Sequence, residues 1–174
     1  MFFYRLGPIA RKGLPRSAVV DCCTDKPLSP KFNHFTSWLG VNATKNLTLY
    51  SGLGFIFGKV LSEQLKAQDM PRTVGVIQAG KGGTPIEQFA NQWAIAKCFR
   101  KGKKELSKVY NALIHPFVRH SIKGVLWYQG ESNSRDGQSH FSCISYYIFK
   151  GYERVWRNNG REIYFGVIGL PPLP

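Results

Sequence analysis

The pattern of apolar and polar positions divides the chain near residue 50. Residues 1–48 are rich in Pro, Gly, Asn, Ser and Thr, with Pro27, Pro30, Asn33, Asn42 and Asn46 breaking any long period. That stretch reads as loops with one short strand at Ser17–Val20. From Tyr50 the pattern tightens. Leu53, Phe57, Val60, Leu61 and Leu65 recur at helical spacing, which predicts a helix over Tyr50–Lys66. Gly52, Gly54 and Gly58 lie on it, each costing roughly 1 kcal/mol relative to Ala, and imply close packing against a sheet. Thr73–Ala79 is a short apolar run and predicts a buried strand. Pro85 then opens a helix to about Ala96, with Glu87 in its first turn, where the dipole favours an acid.

A helix over Leu106–His120 follows, with Val109, Leu113 and Phe117 on one face and Pro116 as its end or kink. Ile122–Tyr128 and Glu162–Ile168 read as strands on either side of a helix at Phe141–Trp156, and Leu170–Pro174 is a terminal loop. This order fits an α/β fold with a parallel sheet.

Composition narrows the class. The chain has 174 residues, 43% of them hydrophobic and 14% aromatic, enough for a core and against wholesale disorder. The longest apolar runs fall far short of the ~18 residues of a membrane span. Arg5 cuts off Met1-Phe2-Phe3-Tyr4 before any apolar core of a signal peptide forms. Cys22, Cys23, Cys98 and Cys143 lack metal-site spacing and do not suggest a dense disulfide framework. Asn42-Ala-Thr44 and Asn46-Leu-Thr48 are glycosylation triplets, of consequence only in a secretory compartment.

Charge adds a question. Twenty-four Lys and Arg against ten Asp and Glu give a net charge of +14. A basic domain can take nucleic acid, an anionic substrate, or neither. The cations gather in residues 1–20 and in Lys97–Lys108; Lys101-Gly-Lys-Lys104 reads as a solvated loop, without a groove-reading helix or RNA-recognition aromatics.

Ligands of an open parallel sheet sit beyond the carboxyl ends of its strands. Two polar loops fall there. Gly80-Lys81-Gly82-Gly83-Thr84 lies between a strand and a helix start, where backbone N–H groups can hold an anion or a developing oxyanion. It is equally readable as a tight turn that needs glycine on steric grounds. Gln129-Gly130-Glu131-Ser132-Asn133 places five small or polar residues against a core. Gln129 and Asn133 can donate to a carbonyl oxygen, and Glu131 can orient a neighbour or accept a proton. The alternative is a polar network that only fixes the loop. Ser132 has no nucleophile elbow around it.

Gly82-Gly-Thr-Pro-Ile-Glu87 resembles the second conserved block of the sialate O-acetylesterase group of SGNH (GDSL-like) hydrolases. Val109–Pro116 followed by Ile122-Lys-Gly-Val-Leu-Trp-Tyr-Gln-Gly-Glu-Ser-Asn133 is similar to that group's third block and the helix before it. Tyr50–Lys59 resembles its helix after the nucleophile region, and Trp156 with Tyr164–Pro172 the helix end and strand that follow. The resemblance covers about residues 38–172 and implies a division into an irregular basic leader, 1–37, and a partial domain of this hydrolase kind, 38–174. It implies a three-layer α/β/α sandwich with a parallel, flavodoxin-like sheet, and hydrolysis of O-acetyl esters on sugars such as sialic acid. It implies Gly83 as a backbone oxyanion donor, Gln129 as the side-chain donor, and Glu131 and Asn133 as loop supports. Gly82, Thr84 and Tyr128 would meet the O-acetylated carbohydrate. No metal or cofactor is required. Members are often secreted or periplasmic.

The sequence also departs from that pattern. The family's nucleophile stands in a G-Q-S-N-type string, absent here; Ser17 and Ser29 lie in other contexts, and Cys22 or Cys23 is the remaining alternative. No Asp-x-x-His string follows, and His34, His115, His120 and His140 are not in that context. The expectation is therefore an incomplete fold with the oxyanion side kept, exposed strand edges and poor solubility. A non-catalytic binder of acetylated or anionic sugars is the second reading, and a nucleic-acid-binding protein the last.

Overall fold

A computed structural model describes residues 2–6, 17–20, 27–32, 51–99, 106–134, 140–157 and 162–170, the first three segments by backbone alone. The basic run 100–105, the two glycosylation triplets, Cys22, Cys23 and His34 lie outside the described residues. The elements in chain order are β1 (Phe2–Leu6), β2 (Ser17–Val20), β3 (Pro27–Phe32), α1 (Gly52–Ala67), β4 (Val74–Gln78), α2 (Gln92–Cys98), β5 (Gly124–Trp127), α3 (Phe141–Arg157) and β6 (Tyr164–Val167).

The period-based reading places α1, β2, β4, β5, α3 and β6 within a few residues of where they occur. Three features differ. First, the run after Pro85 is not one helix. A 3-10 turn at Ile86–Phe89 ends at Ala90, whose ψ of 139° is extended, and α2 starts afresh with Asn91 as its cap. The Asn91 side chain accepts from the Ala94 N–H at 2.9 Å, so the second start is built into the sequence. Second, the expected helix over Leu106–His120 is a π turn at Tyr110–Ile114 running into a 3-10 turn at His115–Phe117. Pro116 cannot donate an N–H to an α-helical ladder, which accounts for the tighter ending. Third, Pro27–Phe32, read as loop, forms β3, and Phe2–Leu6, read as irregular, forms a strand.

That strand changes the sheet. Its order is β4-β1-β5-β6. β5 and β6 pair in parallel, whereas β1 is antiparallel to both β4 and β5. β4, β5 and β6 thus share one direction, as the α/β reading requires, and one reversed strand stands among them. Between β4 and β5 no edge is left exposed: Phe2 pairs with Gln78 on one side and Leu126 on the other. β2 and β3 form a separate antiparallel pair.

Alternation along β4 assigns its faces. A Cβ on Gly58 of α1 would come within 2.9 Å of Val76 Cγ2, so α1 lies close over that side; Gly52 has no such neighbour. Ile77 belongs to the main core. On β5, Val125 and Trp127 are buried in the same core. Trp127 meets Phe89, Phe149 and Tyr152 edge-on, at centroid distances of 5.9, 5.6 and 6.4 Å. Ile144, Ile148, Tyr152 and Trp156 recur at helical spacing and form the buried stripe of α3. Its polar tips are satisfied: Tyr152 Oη donates to Phe89 O at 2.6 Å and Trp156 Nε1 to Phe117 O at 3.2 Å. Burial pushes the Tyr152 phenol well above its ordinary pKa, and the neighbouring Tyr110 adds to the shift. A disulfide, Cys98–Cys143, joins the end of α2 to the first turn of α3.

Candidate active-site loops

β4 and β5 run the same way, so the segments leaving Gln78 and Trp127 emerge at the same end of the strands. Both predicted loops therefore meet. α1 begins at that end, where the Ser51 N–H donates to Gln78 Oε1 at 2.8 Å.

Asn133 is the centre of the junction. It is buried at 9% exposure, and its side chain joins three residues. Its Oδ1 accepts from the Ile86 N–H at 2.8 Å and from Gln129 Nε2 at 3.1 Å, and its Nδ2 donates to Glu87 Oε2 at 3.2 Å. The backbone donor at Ile86 fixes which end of the Asn133 amide is oxygen. Gln129 Nε2 also donates to Thr84 O at 3.1 Å. Two acceptors therefore face the Gln129 nitrogen, which fixes that amide too. Both of its hydrogens are used, one across to the first loop and one within its own, while its Oε1 is buried with no hydrogen-bond partner.

This arrangement sorts the expected site residues. Gln129, Asn133 and Thr84 come together. Thr84 is buried, and its hydroxyl donates to Gly82 O at 3.4 Å. Gly82 and Gly83 form the exposed turn ahead of it. Gly83 has φ +64°, in the left-handed region, and a Cβ there would meet nothing within 4 Å. Glycine is needed at that position for backbone angle and not for room. Gly130 needs it for backbone angle as well, with φ +149°, and a Cβ there would also have to displace the Leu170 side chain, whose Cδ1 would lie at 2.9 Å. Glu131 is exposed at the start of a 3-10 turn, Glu131–Asn133, and Tyr128 is 43% exposed beside it.

Two partners escape a reading of the sequence alone. Glu87 suits a helix dipole by position, but the structure gives it to Asn133 across the two loops. The G-G-T-P string opens onto a 3-10 turn, so the site lacks the regular helix terminus expected there. Ser107, with φ 73°, is the other. Its N–H donates to Glu87 O at 3.3 Å and its Oγ accepts from Gln92 Nε2 at 3.2 Å. Such a conformation in a non-glycine residue costs of order 1–3 kcal/mol and is held by its surroundings. No spacing in the sequence announces it.

Residues 24–143 match the family model described as carbohydrate esterase, sialic acid-specific acetylesterase. The chain belongs to this family. Curated relatives are the sialate O-acetylesterases of Homo sapiens and Pongo abelii, each 31% identical over 94% of this chain and 31% of their own length. The sialate O-acetylesterase of Rattus norvegicus is 23% identical over 80% of this chain and 30% of its own. The chain thus spans under a third of the length of the curated relatives it matches. The stretch matched to this carbohydrate esterase family contains both loops and Glu87.

Proposed function

We propose that the chain forms the oxyanion side of a carboxylic-ester hydrolase that removes O-acetyl groups from carbohydrates such as sialic acid. The observation that carries this reading is the hydrogen-bonded bridge from Gln129 and Asn133 to Thr84, Ile86 and Glu87. It holds a glycine turn and an amide-bearing loop together at the carboxyl ends of β4 and β5. The fold reading that goes with it is the three-layer SGNH sandwich. Its support is α1 over the Val76 side of β4, with α2 and α3 on the core that takes Ile77.

Attack on an acetyl carbonyl moves the carbonyl electron pair onto oxygen. The Gly83 N–H, in the exposed glycine turn, is the first donor to that oxygen. Gln129 Nε2 reaches it by exchanging one of its two bonds within the bridge. Asn133 holds the loop and Glu131 lies at its exposed start. Gly82, Thr84 and Tyr128 are the sugar-side neighbours. N–H donors supply this stabilisation, so the proposed step calls for neither metal nor cofactor. The nucleophile and base remain unassigned among the described residues.

Acetate release from O-acetylated sialic acid by the intact chain tests the proposal. Gln129→Ala is expected to lower turnover by about a hundredfold, the usual effect of removing one oxyanion donor. Turnover that Gln129→Ala leaves unchanged, in a variant that still folds, sinks the assignment. A second reading, a sugar binder without turnover, is favoured by the commitment of both Gln129 hydrogens inside the bridge. Retention of acetylated sugar without acetate release supports it.

A further inference from the structure

Behind the two loops stands a residue that belongs to neither. Ser107 is fully buried, with φ 73° in the left-handed region. Its N–H donates to Glu87 O at 3.3 Å, its carbonyl accepts from the Asn111 N–H at 2.9 Å, and its Oγ accepts from Gln92 Nε2 at 3.2 Å. The next residue adds a further tie, since the Lys108 N–H donates to Gln88 Oε1 at 3.2 Å. Ser107 and Lys108 thus strap the 3-10 turn Ile86–Phe89 and the first residue of α2. Within that turn, Glu87 Oε2 accepts from Asn133 Nδ2 at 3.2 Å, and the Ile86 N–H donates to Asn133 Oδ1 at 2.8 Å.

A turn of this kind holds its own shape weakly, because 3-10 hydrogen bonds are few and poorly aligned. The bonds at its two ends run from the Gln88 N–H to Pro85 O at 3.1 Å and from the Ala90 N–H to Glu87 O at 3.3 Å. Glycine would adopt the Ser107 backbone angle freely, but it has no hydroxyl for Gln92. Serine combines a strained backbone with that acceptor, and residues held in this way cluster at functional sites. We infer that Ser107 is a positioning residue for the two loops. Pinned between Gln92 and Glu87, it sets the place of the Glu87 carboxylate and the Ile86 N–H, and through them the orientation of the Asn133 amide. Gln129, which donates to the same Asn133 Oδ1, is aimed by the same series of contacts. The use of this hold in ester hydrolysis rests on the proposed function; the hold itself does not.

Hydrogen exchange at single amides of the intact chain, read by NMR, tests the hold. Ser107→Gly relaxes the backbone and removes the hydroxyl, whereas Gln92→Leu removes the donor and leaves Ser107 in place. Each is expected to speed exchange at the Ile86 N–H about fivefold, the worth of one hydrogen bond. The Tyr164 N–H, bonded to Lys123 O at the far end of β5 and β6, should keep its rate. A residue that served stability alone would speed both amides together. Equal acceleration at Ile86 and Tyr164 therefore overturns the inference, as does an Ile86 rate that neither variant changes. In acetate release, both variants are expected to lower kcat by a similar factor and leave KM unchanged. An unchanged kcat beside faster Ile86 exchange also overturns Ser107 as a positioning residue. No acetate release by the parent chain rejects the proposed function instead, and the exchange rates then decide the hold by themselves.

Discussion

Asn133 shows how much one side chain can hold. It supplies an acceptor to the Ile86 N–H and Gln129 Nε2 and a donor to Glu87. Asn133→Ala leaves all three without that partner. A stranded buried donor costs roughly 1–3 kcal/mol, so the variant should lose about 3 kcal/mol. Urea unfolding measures this, and a loss below about 1 kcal/mol would show the bridge to be looser than its geometry. Tyr152 offers a test through pH. Its folded pKa lies above the ordinary value, chiefly because burial disfavours the anion. The folded chain therefore keeps a proton that the unfolded chain releases. This contribution is complete below about pH 10 and is lost as pH rises through the raised folded value. Stability should fall on the alkaline side, and Tyr152→Phe should flatten that fall. At neutral pH the same variant should cost about 1 kcal/mol for the lost bond to Phe89 O. An unchanged alkaline slope would reject the assignment.

At the level of elements, periodicity found the segments that bury one face. The stripe of α3 and the apolar runs of β4 and β5 repeat at periods of the backbone itself. It failed where the chain breaks its own period. The start of α2 depends on Asn91 capping Ala94, and the turns over Tyr110–Phe117 depend on a proline and on packing. The Cys98–Cys143 link was equally illegible, since connectivity follows from helix docking and not from spacing. The chain-entropy relation gives about 4 kcal/mol for a loop closed by its 45-residue separation. The double variant Cys98→Ser, Cys143→Ser should therefore unfold about 10 °C lower. A dithiol reductant should produce the same shift in the parent chain and none in the variant. A parent curve indifferent to reductant would show that the link does not form in solution.

The whole molecule sets strand edges against charge. With β1 placed between β4 and β5, the described sheet ends at β4 and β6. β6 carries Tyr164 at 53% and Val167 at 62% exposure, an apolar edge of the kind that recruits other chains. The net charge of +14 opposes association by self-repulsion, which salt screens. Poor solubility is therefore expected to worsen with salt, and Val167→Lys should raise the soluble fraction. Light scattering across a salt series checks this. A soluble monomer with one sharp thermal transition at high salt would contradict it.

The sequence by itself determined the α/β alternation, the two polar loops and the family, because period, turn chemistry and short strings are local properties of the chain. Tertiary structure decided the rest. It set β1 antiparallel in the centre of the sheet, gave Glu87 to Asn133, and tied Gln129 across the loops to Thr84. It also brought Tyr147 and Arg154 of α3 to Trp93 of α2. The physical reason is common to all of these. Each joins residues far apart in the chain, and a hydrogen bond or ring contact between them exists only once the sheet has brought their elements together.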